Sequence, residues 1–304
     1  MAISLQKPKA VSDAHHHVWD LDRNHHPWLS DEPPIPFRYG DYSTIRKSYM
    51  PADYRRDTAG WPVTTSVYIE AEWERSNALG ESRWIAEIAA EHGLPSAVVA
   101  WCDLADPDAP ALLAAHAAIP IVRGIRHKPA AAAGASEARR GQPSSMDDPA
   151  WRDGYCHLAR YGLSYDLQTP WWHLDAAAEL ARDVPATQII INHTAMPADR
   201  SPDALTAWRR ALERAAAEPN IAIKISGIGR PGIPWAKTGN APIIRDAIAI
   251  FGVERAMFAS NFPVDSLVGD FDTIFSGFLA ATADRSEEDR ERLFHDNAAR
   301  LYRL

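Results

Sequence analysis

Thr187-Gln188-Ile189-Ile190-Ile191-Asn192-His193 is a short, strongly apolar, β-branched run that ends in two polar side chains, and Leu205–Ala217 behind it is apolar at helical spacing. A run of that length reads as a buried strand and the stretch after it as its covering helix, so the pair makes one βα unit. The alternation recurs along the chain. Further runs stand at about Ala10–Val18, Thr64–Ala71, Ser96–Asp103, Ile121–His127, Gly162–Gln168, Asn220–Ser226 and Ala256–Asn261, while Ser82–Glu91 and Ile243–Phe251 carry further apolar helical stripes. Eight strands alternating with helices over 304 residues predict the α/β class, as a (β/α)8 TIM barrel forming one domain over 1–304. No glycine-rich phosphate turn follows the first run, which argues against a dinucleotide-binding sheet.

Composition narrows the function classes. Apolar residues make up 46% and charged residues 24%, the balance of a globular protein. A formal charge of −8 with scattered arginines would repel a polyphosphate, so nucleic acid is a poor partner. No apolar run approaches the roughly 18 residues of a membrane span, and Met1–Ala10 lacks the pattern of a secretory leader. Cys102 and Cys156 are too few for a disulfide framework and read as buried thiols of a cytoplasmic protein. A small molecule is the expected partner, and self-association into a homo-oligomer is left open.

Two connections are long. Asp20–Pro62, after the first strand, is rich in proline and aromatics and reads as an ordered lid; Lys128–Pro149, rich in alanine, glycine and serine, reads as a mobile one. Trp28, Tyr39, Tyr42, Trp171 and Trp172 are candidates to close the mouth. Ser286 with Asp289 reads as a capping box for a last helix that packs on the body.

The densest chemistry lies in Asp13-Ala14-His15-His16-His17-Val18-Trp19. Period two puts His15 and His17 on one face, and imidazole is the commonest ligand of divalent transition metals. His193 ends the sixth run, so all three rings converge at one rim if both strands line a barrel. Hydrogen-bonded structural histidines are the alternative. In the second run Val67, Ile69 and Ala71 are expected to face the helices, leaving Tyr68 and Glu70 inside. In the seventh the isoleucines face outward and Lys224 and Ser226 inward, with Glu70 or Asp166 as partner of the lysine. Arg126 offers a planar fork for a substrate carboxylate, with His127 beside it, and Gln168 could orient a hydroxyl or carbonyl.

Asp-x-His-x-His-x-Trp at 13–19, Gly-Ile-Arg-His at 124–127, Asn-His-x-x-x-Pro at 192–197, Ser-Asn-Phe-Pro-Val-Asp at 260–265 and Asp-Asn-Ala-Ala-Arg-Leu-Tyr at 296–302 together resemble the amidohydrolase-related TIM-barrel hydrolases. Within them the sequence is most similar to the branch of 2-pyrone-4,6-dicarboxylate lactonase and the fuconolactone and rhamnonolactone hydrolases. The resemblance covers nearly the whole chain. It implies hydrolysis of a carboxylated or polyhydroxylated lactone, with His15, His17 and His193 around the scissile carbonyl. The family's strand-eight aspartate does not carry over: Asn261 stands there, and an amide can neither take a proton from water nor give an anionic metal ligand. Asp265, four residues on, either returns to the mouth or caps the next turn. A metal-dependent hydrolase with one zinc or manganese ion on His15, His17 and His193 and a metal-independent one both remain open. A non-oxidative decarboxylase of an aromatic or unsaturated acid is the alternative within the superfamily. A catalytically degenerate barrel that binds a small acid is the other, motivated by Asn261.

Overall fold

The computed structural model describes residues 6–304; the first half of the Met1–Ala10 stretch lies outside them. Eight parallel strands run in sequence order around a nearly closed barrel: β1 (Val11–His16), β2 (Val63–Ile69), β3 (Ala97–Trp101), β4 (Val122–Arg126), β5 (Ser164–Leu167), β6 (Ile189–Ile191), β7 (Ile221–Ile225) and β8 (Ala256–Phe258). Each falls on an expected run. Closure comes just beyond the end of β8. Asn261 N donates to His15 O at 2.8 Å and His17 N to Phe262 O at 2.7 Å. Asp13 locks the same seam, accepting from Ser260 N at 2.8 Å, from Ser260 Oγ at 2.5 Å and from Tyr54 Oη at 2.8 Å.

Strand parity divides the core into two layers. Ala14, Val67, Val99, Ile190, Ala222 and Met257 fill the lumen, together with Leu301 and Tyr302 of the C-terminal helix Asn297–Tyr302. The residues of opposite parity meet the outer helices. Helix Pro202–Ala216 starts where Ser201 Oγ accepts from Ala204 N, and it buries Trp208, Ala211, Leu212 and Ala215. Positions three and four apart form one stripe, and covering a leucine there contributes about 1.5–3 kcal/mol. Trp208 also donates from Nε1 to Thr194 O at 2.8 Å, which ties this helix to the turn carrying His193.

Four expectations change. In β2 the faces are reversed: Val67 and Ile69 enter the lumen, while Tyr68 points outward and donates to Glu81 Oε1 at 2.7 Å. The phenol follows its buried partner on helix Ala78–His92, and burial raises the Glu81 carboxyl to about 7. The capping box at Ser286 is half made. Its hydroxyl accepts from Asp289 N at 3.0 Å, but the Asp289 carboxylate pairs with Arg292 at 3.2 Å. The second long loop is tethered rather than loose: Ala130 N donates to Ser144 O at 2.9 Å, Ala132 N to His173 Nε2 at 2.9 Å, and Trp172 Nε1 to Ala132 O at 3.1 Å. Cys156 is exposed, whereas Cys102 is buried as expected. No helix among the described residues is long and apolar enough to cross a membrane.

Candidate active site

β1 is irregular where the histidines stand. Asp13 is paired with Ser66 and His16 with Tyr68, so three steps along β1 match two along β2. A bulge of this kind re-aims side chains. His16 goes to the outer layer, where it stacks on Tyr54 at 4.3 Å and its Nε2 lies 3.0 Å from Ser66 Oγ. His15 and His17 go to the mouth, their rings 5.0 Å apart, and His193 joins them with its ring 4.7 Å from His15.

His193 sits in an unusual turn. His193, Thr194, Ala195 and Met196 have φ of 54°, 51°, 56° and 54°, a left-handed conformation that costs L-residues about 1–2 kcal/mol each. Trp208 and the 2.8 Å bond from Met196 N to His193 O hold it. The ring rests against Gly227, where a Cβ would lie 2.5 Å from His193 Nδ1. Ser226 Oγ lies 2.9 Å from the same nitrogen.

Hydrogen bonding fixes one tautomer. His17 Nδ1 lies 2.8 Å from Ile69 O, which only accepts, so Nδ1 carries the proton and the Nε2 lone pair is free. Both ring nitrogens of His15 are buried without a partner. All three imidazoles are held neutral, well below the ordinary histidine range. Burial is the main cause in each, followed by Lys224 for His15, Arg126 for His17 and Arg38 for His193.

A cavity of about 400 Å³ opens over this cluster, lined by His17, His193, Asn261, Arg126, Gln168 and Arg38. Trp28, Ile35 and Phe37 of the first long loop roof it, as the lid reading expected of Trp28. Tyr42 packs behind them and donates to Trp28 O at 3.0 Å. Ile35 is 52% exposed at the rim.

Arg126 is expected to meet a substrate carboxylate, but its fork is largely used inside the protein. Nε donates to Glu70 Oε1 at 2.7 Å, Nη2 to Glu70 O, and Nη1 to Gln168 Oε1 at 3.1 Å. Although burial raises the Glu70 carboxyl, Arg126 and Arg75 outweigh it and hold the group well below the usual range. Gln168 keeps its amide N–H donors and lines the cavity. Lys224 is sealed beneath the rim, donating to Asp166 Oδ1 at 2.7 Å, and Tyr302 donates to the same oxygen at 2.7 Å. His127 is turned away: its Nδ1 accepts from Leu104 N at 3.0 Å and Trp151 Nε1 at 3.1 Å. Neither residue lines the cavity, so the substrate contact expected of each is not made. Asp265 stands directly behind Asn261, accepting from Asn261 Nδ2 at 2.6 Å and from Tyr39 Oη at 3.0 Å, while its Oδ2 is unpaired. Burial raises its carboxyl, opposed by Arg38, Asn261 and Tyr39. With Nδ2 committed, Asn261 has its carbonyl oxygen left to accept a hydrogen bond.

The family model described as amidohydrolase matches residues 12–304. The chain belongs to the amidohydrolase family. At that level of description it is a hydrolase. It is 41% identical over 295 residues to the uncharacterized protein y4mH of Sinorhizobium fredii, covering 97% of this chain and 99% of that one. It is 28% identical over 304 residues to an L-fucono-1,5-lactonase of Burkholderia ambifaria, covering 96% and 95%. An amidohydrolase of Burkholderia multivorans, solved with bound zinc, has the same fold: TM-score 0.77, 24% identity, 97% of this chain and 99% of that chain covered.

Among the described residues the side chains do not form a ready-made metal site. Three imidazoles meet, and the orphaned nitrogens of His15 are available, but the fourth position is the amide of Asn261. Among the described residues no group of three or more His, Cys, Asp and Glu side chains is arranged to hold an ion. The candidates that sequence reasoning missed are Arg38, Glu72, Lys128 and Met196, all in connections at the cavity. Arg38, flanked by two aromatics in Phe37-Arg38-Tyr39, was the one with a visible signal; Lys128 pairs with Glu72, 56 positions away, which no spacing reveals.

Proposed function

We propose that this amidohydrolase opens a lactone ring by attack of water, with His17 as the base. Lactonase-named relatives at moderate identity support that general kind of reaction, and a carboxylated or polyhydroxylated lactone is the finer reading. The observation that carries it is the lone pair of His17 Nε2, fixed by the Nδ1 bond to Ile69 O, in a cavity that also presents Arg126 and Arg38.

In this reading the Asn261 carbonyl and His17 Nε2 accept the two protons of one water. As the water oxygen bonds to the lactone carbonyl carbon, its proton passes to Nε2 and the carbonyl electrons move onto oxygen, where the guanidinium side of the cavity stabilises the charge. The tetrahedral adduct then collapses. The ring C–O bond breaks, the leaving oxygen takes the proton back from His17, and a hydroxy acid results. Burial and Arg126 make the imidazolium short-lived and the base weak. A base of that strength suits an activated ester carbonyl better than an amide, because the less basic leaving group asks less proton transfer at the transition state.

The test is a lactone panel in weakly buffered indicator at pH 7, with carbon dioxide detection alongside and elemental analysis before and after chelation. Expected are one proton released per ring opened, no carbon dioxide, and a kcat/KM that stays level from pH 8 to 6 because His17 remains neutral throughout. His17→Gln is expected to lower kcat by on the order of 10²-fold or more. Carbon dioxide from an aromatic acid, or saturable binding without turnover, would replace the proposal. Activity that vanishes on chelation and returns with zinc or manganese would overturn the direct role of His17.

A further inference from the structure

A second cavity of about 450 Å³ adjoins the first, and Arg38, Lys128, Gln168 and Met196 line both. Its walls are the connections after β1, β4, β5, β6 and β7. The alanine run 131–133, Pro170 and Trp172 give it an apolar side. Its polar side is one-signed: Arg38, Lys128, Arg200 and Arg230 line it, and no carboxylate does. In a chain of net charge −8 that is a local reversal. Two of the four cations are answered, Arg38 by Asp265 at 3.4 Å and Lys128 by Glu72. Arg200 and Arg230 have no ion-pair partner among the described residues.

Arg200 is the more exacting of the two. It donates from Nη2 to Ile228 O at 3.0 Å, but its Nε is buried with no acceptor. Burial, then the proximity of Arg230, lowers it to about 10. An unsatisfied buried donor on a cation costs more than a neutral one, and a carboxylate is the group whose geometry satisfies a guanidinium edge.

We propose that this second chamber is a substrate subsite for a carboxylate carried on a short apolar arm, held by Arg200 and Arg230 while the ring occupies the histidine cavity. This rests on the lactone reading of the first cavity. It makes the preferred substrate a lactone with an acidic side arm rather than a bare sugar lactone, and it transfers the anion contact expected of Arg126 to a different pair of arginines.

Binding and turnover test it separately. Hexanoate and 1-hexanol are titrated calorimetrically into the wild-type protein, Arg200→Ala/Arg230→Ala, and the milder Arg230→Gln, since the Arg230 guanidinium makes no hydrogen bond among the described residues. Hexanoate is expected to bind the wild type at least tenfold more tightly than hexanol, and to weaken tenfold or more in the double variant and severalfold in Arg230→Gln. Two lactones with the same ring, one bearing a carboxyalkyl arm and one its methyl ester, are then compared. The double variant is expected to raise KM at least tenfold for the acid and to leave kcat/KM for the ester within twofold. Equal hexanoate binding in all three proteins overturns the subsite, as does hexanol binding as tightly as hexanoate. Hexyl phosphate binding more tightly than hexanoate overturns the choice of carboxylate. Arginine-dependent hexanoate binding with no lactone opened upholds the subsite and removes the lactonase reading instead.

Discussion

Replacing Asn261 by aspartate places two carboxylates where an amide now donates to Asp265 Oδ1 across 2.6 Å. Both positions are buried, at 2% and 1% exposure. At an effective dielectric near 20, two unit charges at that separation repel by about 6 kcal/mol, equivalent to keeping one proton on the pair to above pH 7. Arg38 and Tyr39 reduce the repulsion without removing it. In the unfolded chain both groups ionise near pH 4, so between pH 6 and 8 the folded variant binds one proton more than the unfolded one. The folded value is raised, so the contribution to stability is present at low pH and lost as pH rises. The slope is about 1.4 kcal/mol per pH unit. Over two units that is about 3 kcal/mol, or roughly 5 °C in Tm at the sensitivity of a chain this large. Melting curves of Asn261→Asp and wild type at pH 6, 7 and 8 read the difference directly. A matching alkaline fall in kcat/KM is expected in the variant alone, as the shared proton is lost and the two side chains separate. Parallel Tm curves across that range would refute the 2.6 Å contact and the placement of Asp265 behind the mouth.

Three other perturbations follow from the same geometry. His193→Ala is expected to lower kcat/KM by on the order of 10²-fold or more while Tm changes little, because a rim side chain on a strand end adds more to chemistry than to packing; wild-type turnover would remove His193 from the site. Gly227→Ala puts a Cβ 2.5 Å from His193 Nδ1 at φ +58°, so activity is expected to fall more than tenfold together with a loss of about 1–2 kcal/mol in stability, checked by kinetics and urea unfolding. His116, which lies away from the cavity between Ser82 Oγ at 3.0 Å and Trp101 O at 2.9 Å, is held down to about 4 by burial. Its unfolded form protonates near 6.5 and its folded form does not, so it destabilises the protein as pH falls below 6.5. His116→Gln is expected to lose about 2 kcal/mol less than wild type between pH 7 and 5, and an unchanged pH dependence of Tm would contradict this.

Most of the barrel is legible because β-branched runs and alanine-rich helices differ in period, and parity within a run follows whenever its two faces differ in chemistry. β7 is the clear case. Its isoleucines at 221, 223 and 225 pack outward, and Lys224 can point inward because Asp166 meets it there. β2 reads the wrong way round for the same physical reason: a tyrosine looks like a lumen group until its partner, Glu81 on the next helix, is known. Site residues on strand ends are visible as polar side chains closing apolar runs. What each one is doing is not visible, because the deciding partner is remote in sequence. Arg126 looks free for substrate but meets Glu70, and His127 looks like its neighbour in function but serves Leu104 and Trp151.

The first motif shows how chemistry and closure share one stretch of chain. Asp13 and His16 face Ser260, Tyr54 and Ser66 and belong to the seam that joins β1 to the residues beyond β8. His17 faces the cavity with the buried ring of His15 5.0 Å from its own, and Trp19 anchors the long lid loop by donating to Lys47 O at 2.7 Å. The bulge makes this division possible, since strict alternation would place Asp13, His15 and His17 on one face and require a buried carboxylate beside two imidazoles. Such a carboxylate would favour a protonated ring. With Asp13 turned to the seam, burial, helped by the cations facing the cluster, holds the imidazoles neutral, and they keep a lone pair for a proton. The same bulge therefore lets one stretch of chain serve the seam and keep a carboxylate away from the imidazoles whose neutral state the proposed water attack needs.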